Sequence, residues 1–339
     1  MFHLPKPDKP AWAGPLVGGL TQSIINRYLD CPFRFYLYAV LGLEDPAPDK
    51  ANLMWGSICH YGLEQIIKDP QPVREFSKEK KEELLETIKA HTKEKYPSAD
   101  ASFPYSCHQM VMLYDDSYKI GNKFETEQDF EIPYTTRIGN TVTLRGKVDG
   151  ISELDLVEHK CVGFNDPTQS RLETPFDLQA LLYCMVKNRR HVIYDKIKIP
   201  DVSKILPPRR TGETISHWVE RFYFKHHYKE FPIANYRYIW LDQFDFYLSD
   251  EDIELFQKFQ LNPLIDTMCR YWDKVTHPNF DPNNPDHYDE LFWIKPIRTF
   301  DASRTEKYKC NYYQYLTGEM TLEMLQPAHF YAELPEKKQ

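Results

Sequence analysis

Three charged side chains have the types and spacing of a single chemistry. Asp149 sits in Gly146-Lys147-Val148-Asp149-Gly150, and nine residues on come Glu158 and Lys160 in Glu158-His159-Lys160. Carboxylates are hard oxygen ligands that hold Mg2+ or Mn2+. The ion polarises a phosphate and lowers the pKa of a bound water, and an ammonium beside it positions or activates that water. The trio is therefore a candidate centre for phosphodiester hydrolysis. It also has a plain alternative, because charged residues at alternate strand positions make ordinary ion pairs on a solvated hairpin.

The elements that would position the trio are short. Thr141-Val142-Thr143-Leu144 and Leu154-Asp155-Leu156-Val157 flank a turn-like Gly150-Ile151-Ser152-Glu153, which predicts two neighbouring strands forming a hairpin. Asp149 would close the first strand. Alternation then sends Glu158 and Lys160 to one face of the second and His159 to the other. Gln179 and Tyr183, four apart, share a helical face and could hydrogen-bond a phosphate or orient Lys160; equally, they could be an exposed glutamine and a packed tyrosine. His60 lies among Ile58, Leu63, Ile66 and Ile67 at helical spacing, where a histidine is ordinarily a core residue.

Around these segments the chain reads as Pro- and Gly-rich and extended up to about Leu20. Helices are predicted over Leu20–Leu43, Leu53–Lys68, Val73–Lys95 and about Cys107–Phe124. A strand over Asp129–Ile132 precedes the hairpin. After the Gln179 helix, Val192–Tyr194 and Ile197–Ile199 read as strand, Tyr236–Phe246 as strand-like or irregular, Glu251–Thr276 as mostly helix and His277–Asp301 as a long loop. The expected fold is α/β: a small mixed sheet flanked by helices. Its parts would be an extended segment (1–19), a helical annex carrying His60 and roofing the site (20–125), the core (126–276) and a C-terminal loop and cap region (277–339).

Asp149 followed by Glu158-x-Lys160 resembles the core of the PD-(D/E)XK nuclease superfamily, and the flanking segments resemble its RecB-type branch. That branch includes the RecB-like nucleases of CRISPR adaptation and many phage exonucleases. Leu20 to Tyr36, with Cys31-Pro32 and then Phe33-Arg34-Phe35-Tyr36, is similar to the branch's first helix. Gly56-Ser57-Ile58-Cys59-His60 is similar to its second, where a glycine precedes the metal-binding histidine by four residues. Asp177 to Tyr183 is similar to the closing helix, whose glutamine and tyrosine face the site. The resemblance runs from about Leu20 to Met185.

It implies a restriction-endonuclease-like core and a divalent-metal-dependent deoxyribonuclease, an exonuclease of phage or bacterial DNA recombination, repair or processing. It makes His60, Asp149 and Glu158 the ligands of Mg2+ or Mn2+, with the Cys161 carbonyl completing the shell at the strand's edge. Lys160 would position water, and Gln179 and Tyr183 would join the catalytic group. A nitrogen ligand favours Mn2+, being softer than oxygen. The resemblance also allows a non-catalytic DNA-binding or scaffolding subunit that keeps the fold.

Composition sets limits. The 339 residues, 42% hydrophobic and 27% charged, are ordinary for a globular chain. No apolar run approaches the roughly 18 residues of a membrane span, and the start lacks a signal peptide's apolar core, so neither membrane insertion nor secretion is expected. Seven cysteines without a Cys-x-x-Cys fit reduced thiols in the cytoplasm of a bacterium or phage-infected cell. Many RecB-type relatives hold an iron–sulfur cluster with one cysteine after the first helix and three near the C-terminus. Here Cys31 and Cys310 occupy such places, but Cys310 has no cysteine near it, so no cluster is expected and aromatic residues such as Tyr308, Tyr312 and Tyr315 would pack that region. The net charge of -8 argues against a generally basic DNA-binding surface. Locally, Lys187, Arg189, Arg190, Lys196, Lys198, Lys204, Arg209 and Arg210 outweigh Asp195 and Asp201, a candidate phosphate-tracking rim with Pro207–Gly212 as a loop over the site. Weak, metal-assisted binding, or loading by a helicase or recombinase, would follow.

Overall fold

Proline and capping residues set where the helices begin. The computed structural model describes residues 4–44, 50–114, 116–120, 123–162, 173–199, 209–220, 241–284, 287, 322–324 and 326–327. A short helix α1 (Pro15–Gly18) interrupts the segment expected to be extended. Thr21 caps α2 (Gln22–Asp30), its hydroxyl accepting the Ile24 N–H. The single helix predicted over Leu20–Leu43 is in fact two, because Pro32 opens α3 (Pro32–Ala39) and pushes Cys31 into extended backbone at φ −163°. β1 (Leu43–Glu44) follows.

Next come α4 (Lys50–Lys68), α5 (Lys78–Lys95) and α6 (Phe103–Met112). The predicted Val73–Lys95 helix starts late: Val73–Glu75 is a 3-10 turn, and Ser77 caps α5 by accepting the Lys80 N–H. The helix predicted around Cys107–Phe124 starts early, with Pro104 in its first turn, and stops at Met112. One apolar cluster joins these helices through Trp55, Ile58, Leu63, Ile66, Ile88 and Val111, and takes in Ile197 and Cys161 from the sheet. α4 passes so close to its neighbours that a Cβ on Gly62 would lie 2.9 Å from Val111 Cγ2 and 3.1 Å from Ile88 Cδ1. Gly62→Leu is therefore expected to destabilise by about 1–3 kcal/mol, read as a lower denaturant midpoint.

The main sheet has the order β2 (Glu125–Thr135), β3 (Thr141–Ile151), β4 (Asp155–Val162), β5 (His191–Lys198), β6 (Leu241–Tyr247). β3 and β4 form the expected antiparallel hairpin, its turn shifted to residues 152–154. β4 and β5 are parallel, and β5 and β6 antiparallel. A parallel pair needs a crossover, and α7 (Leu178–Lys187) lies on that connection, capped by Asp177 and closed by left-handed Asn188. The predicted pieces Val192–Tyr194 and Ile197–Ile199 are one strand. This is the mixed α/β architecture expected.

Beyond the sheet, the run predicted as one helix over Glu251–Thr276 is α8 (Asp250–Phe256), a π turn Gln257–Leu261 and α9 (Asn262–Val275). Pro263 explains the interruption, since it cannot donate a backbone hydrogen bond and crowds the preceding turn. β7 (Gln326–Pro327) pairs with β1. Cys310, the C-terminal aromatic group, Lys204 and Pro207-Pro208 lie outside the described residues.

The described chain forms two compact units. One gathers the described residues within 1–48, 130–146 and 254–339, and the other those within 49–129 and 147–253. This partition differs from the expected annex and core. The helices carrying and following His60 share a unit with the later strands because their apolar cluster reaches Ile197 and Cys161. In the first unit, Tyr271 of α9 donates to the Pro32 carbonyl at 2.9 Å and packs edge-on against Tyr28. Cys31 and Cys269 are buried in that unit and Cys184 in the other.

Candidate active site

His60, Asp149, Glu158, Lys160, Cys161, Gln179 and Tyr183 all belong to the second unit. Pairing between β3 and β4 runs over Ile151↔Leu156 and Gly150↔Val157. At the next position Asp149 turns its carboxylate onto β4, where Oδ2 accepts the His159 N–H at 2.8 Å. The other oxygen, Oδ1, is 3.5 Å from His60 Nδ1. His60 reaches it because α4 runs close to β4: a Cβ at Gly56, one turn earlier, would stand 3.4 Å from Cys161 Cβ. The small residue thus sets the approach that brings the imidazole to the carboxylate.

Glu158 and Lys160 share a face, as their parity requires, and one side chain bridges them. Gln179 donates from Nε2 to Glu158 Oε1 and accepts from Lys160 Nζ at 2.7 Å on Oε1. The amide therefore holds the acid and the ammonium together. Glu158 is buried, and among the described residues its Oε2 has no hydrogen-bond partner. Tyr183, one turn beyond Gln179, is also buried. Burial, with the charges of Glu158 and Asp149, pushes its hydroxyl's pKa up, so it stays protonated and able to donate.

The electrostatics are those of two acids sharing one place. Burial and then the Asp149 charge raise Glu158 well above the usual carboxylate range. Burial opposes ionisation of Asp149 too, but the charge and hydrogen bond of His60, together with His159, outweigh it and hold the carboxyl low. Burial pulls His60 down, yet Asp149 more than compensates and the imidazole is pushed up to about 10.

A buried carboxylate oxygen without a partner, beside a second carboxylate, fits a divalent cation, which takes up carboxylate oxygens and cancels their repulsion. The expected shell of His60, Asp149, Glu158 and the Cys161 carbonyl is nevertheless not ready-made. Among the described residues no three His, Cys, Asp or Glu side chains converge as ligands. Asp149 commits one oxygen to the His159 amide and the other to His60, which draws it aside.

A family model of the PD-(D/E)XK nuclease superfamily matches residues 19–201. The chain belongs to that superfamily. Its members are in general metal-dependent nucleases. No curated protein matches it significantly. Among the described residues no helix is long and apolar enough to cross a membrane.

The expected basic rim is only partly at the site. Lys196 is the register partner of Lys160 on the neighbouring strand. Arg189 and Arg190 sit at the other end, where β4 begins: Arg189 donates to the Ser152 carbonyl at 2.9 Å, and Arg190 to Asp250 at 2.7 Å and to the Cys184 carbonyl at 3.3 Å. Lys187 donates to the Asp129 carbonyl at 3.2 Å. These three are recruited by carbonyls and an acid around the C-terminus of α7, which parity and local charge counts do not reveal. Arg209 and Arg210 are exposed, in a turn closed by Gly212 at φ 78°. The thiols of Cys59 and Cys161 are raised by hydrogen bonds among the cysteines and by burial, which disfavours a nucleophilic thiolate.

Sequence reasoning missed Asp195, counted there only as a local charge. It is fully buried on β5 and bonded to His159 Nδ1 at 3.0 Å. The signal was present: Asp195 lies between Ile193 and Ile197 at alternate positions, an acid on an apolar strand face.

Proposed function

We propose that the protein is a divalent-metal-dependent deoxyribonuclease of the RecB-type branch, acting as an exonuclease in phage or bacterial DNA recombination, repair or processing. The observation that carries this reading is the Gln179 amide joining Glu158 and Lys160, with an unpartnered Glu158 oxygen beside them. Asp149, Glu158 and His60 would hold Mg2+ or Mn2+, which supplies Lewis acidity at the phosphate and a water of lowered pKa. Lys160, anchored by Gln179, orients the attacking water and stabilises charge on the phosphate. Tyr183 keeps its proton and donates to a phosphate oxygen. A retired, non-catalytic scaffold is disfavoured, because the buried Glu158 carboxyl with its orphan oxygen costs stability and serves no packing role.

The test is to incubate end-labelled single- and double-stranded DNA with Mn2+ and with Mg2+ and to size the products over time. Mononucleotides released progressively from ends support the reading, and internal cuts would make it an endonuclease. No cleavage with either ion would favour the binding subunit. A second expectation concerns the imidazole: in calorimetry His60→Ala should weaken Mn2+ binding by on the order of tenfold or more, and Mg2+ binding less. Equal Mn2+ affinity would return His60 to a packing role.

A further inference from the structure

On the face of β4 away from Lys160, His159 stands directly opposite Asp195 of β5. His159 Nδ1 is 3.0 Å from Asp195 Oδ2, and the same oxygen accepts the hydroxyl of Tyr114, two residues past α6. Tyr114 in turn lies 3.0 Å, oxygen to oxygen, from Tyr118. Asp195 is 0% and His159 2% exposed. Burying such a pair is costly, and an apolar residue would fill the position more cheaply, as Ile193 and Ile197 do on either side. Stability does not account for the network either, since Asp195 Oδ1 and His159 Nε2 are buried without partners among the described residues.

Its geometry points towards the site instead. The backbone N–H of His159 holds Asp149 Oδ2, and the His159 ring stands edge-on to His60 with centroids 6.0 Å apart. β4 pairs with β5 along its length, from Asp155↔His191 to Val162↔Lys198, whereas its pairing with β3 ends at Gly150↔Val157. At the level of Asp149, β4 is therefore held from the β5 side, and the His159–Asp195 bond is the side-chain clamp there. Asp195 selects the Nδ1–H form of His159 and fixes its ring. That fixes the direction of the amide and the surface against which His60 rests.

We infer that Asp195 is a positioning residue that acts through His159 to fix where Asp149 and His60 stand at the metal site. The inference rests on the reading of Asp149 as a metal ligand.

The test is calorimetric titration of Mn2+ into the wild type, Asp149→Ala, Asp195→Asn, His159→Ala and His159→Asn, each checked for native melting. Partners that orient metal ligands change affinity by about 10- to 100-fold when removed. Asp195→Asn and His159→Ala should each show a loss of that size. A double variant combining Asp195→Asn with His159→Ala should be no weaker than His159→Ala, and His159→Asn, whose amide can donate in place of Nδ1–H, should recover most of it. If His159→Ala does not fold, the isosteric Asp195→Asn and Tyr114→Phe decide. Asp195→Asn binding Mn2+ like the wild type, while Asp149→Ala has lost it, overturns this inference alone. A wild type that binds no Mn2+, or an Asp149→Ala that binds it equally well, overturns the metal-site reading and this inference with it.

Discussion

Asp149→Ala, Glu158→Ala and Lys160→Ala are each expected to lower DNA cleavage by several powers of ten without unfolding the protein. The two acids supply the oxygens that would carry the ion, and Lys160 is the one cation that Gln179 ties to Glu158. Loss of any of the three removes an oxygen ligand or the ammonium that positions the water. For Glu158, stability should hold or rise. In metal-free buffer Glu158 is a buried carboxyl raised by burial and by Asp149, with an oxygen that has no partner. An unsatisfied buried polar group costs about 1–3 kcal/mol, so removing it offsets the packing lost in Glu158→Ala. Cleavage rates on labelled DNA, read beside thermal melts, test both halves. A Lys160→Ala protein of full activity would refute the assignment of the site.

What the sequence made legible follows from which rules are local. The hairpin, the shared face of Glu158 and Lys160 and the opposite face of His159 all come from strand alternation, which needs no tertiary information. Gln179 and Tyr183 come from helical spacing in the same way. Breaks were less legible: Pro32, Pro104 and Pro263 each shifted a helix boundary whose apolar pattern runs straight through it. What lay out of reach depends on long-range pairing. Asp149 bending onto the His159 amide requires the β3–β4 ladder to end where it does, and Arg189 and Arg190 turn to the Ser152 carbonyl of the β3–β4 turn and the Cys184 carbonyl of α7. Charge counts along the chain do not see such partners.

Lys119 shows the same blindness, and its replacement should have the largest effect on folding. The residue fell inside a helix expected around Cys107–Phe124, where a lysine reads as solvated, yet it is 5% exposed, in the turn Ser117–Lys119. Its ammonium lies 2.6 Å from Asp116 Oδ2, donates to the Ile66 carbonyl, and reaches the carbonyls of Asp69 at 3.1 Å and Gln71 at 3.4 Å. Asp116 in turn accepts the Val73 N–H at 3.0 Å. One ion pair thus closes the C-terminal end of α4, where helix carbonyls have no partners of their own and a cation is favoured. Lys119→Met would leave Asp116 buried without its counter-charge and strip those carbonyls of their donor. Breaking a buried pair from one side costs about 3–5 kcal/mol, which should appear as a lower urea midpoint at unchanged slope. Removing both charges together, as in Asp116→Leu with Lys119→Met, should recover part of the loss but not all, because the carbonyls stay unsatisfied. A single variant within about 1 kcal/mol of the wild type would mean that water takes the place of the ammonium, and that the end of α4 is held by its apolar cluster alone.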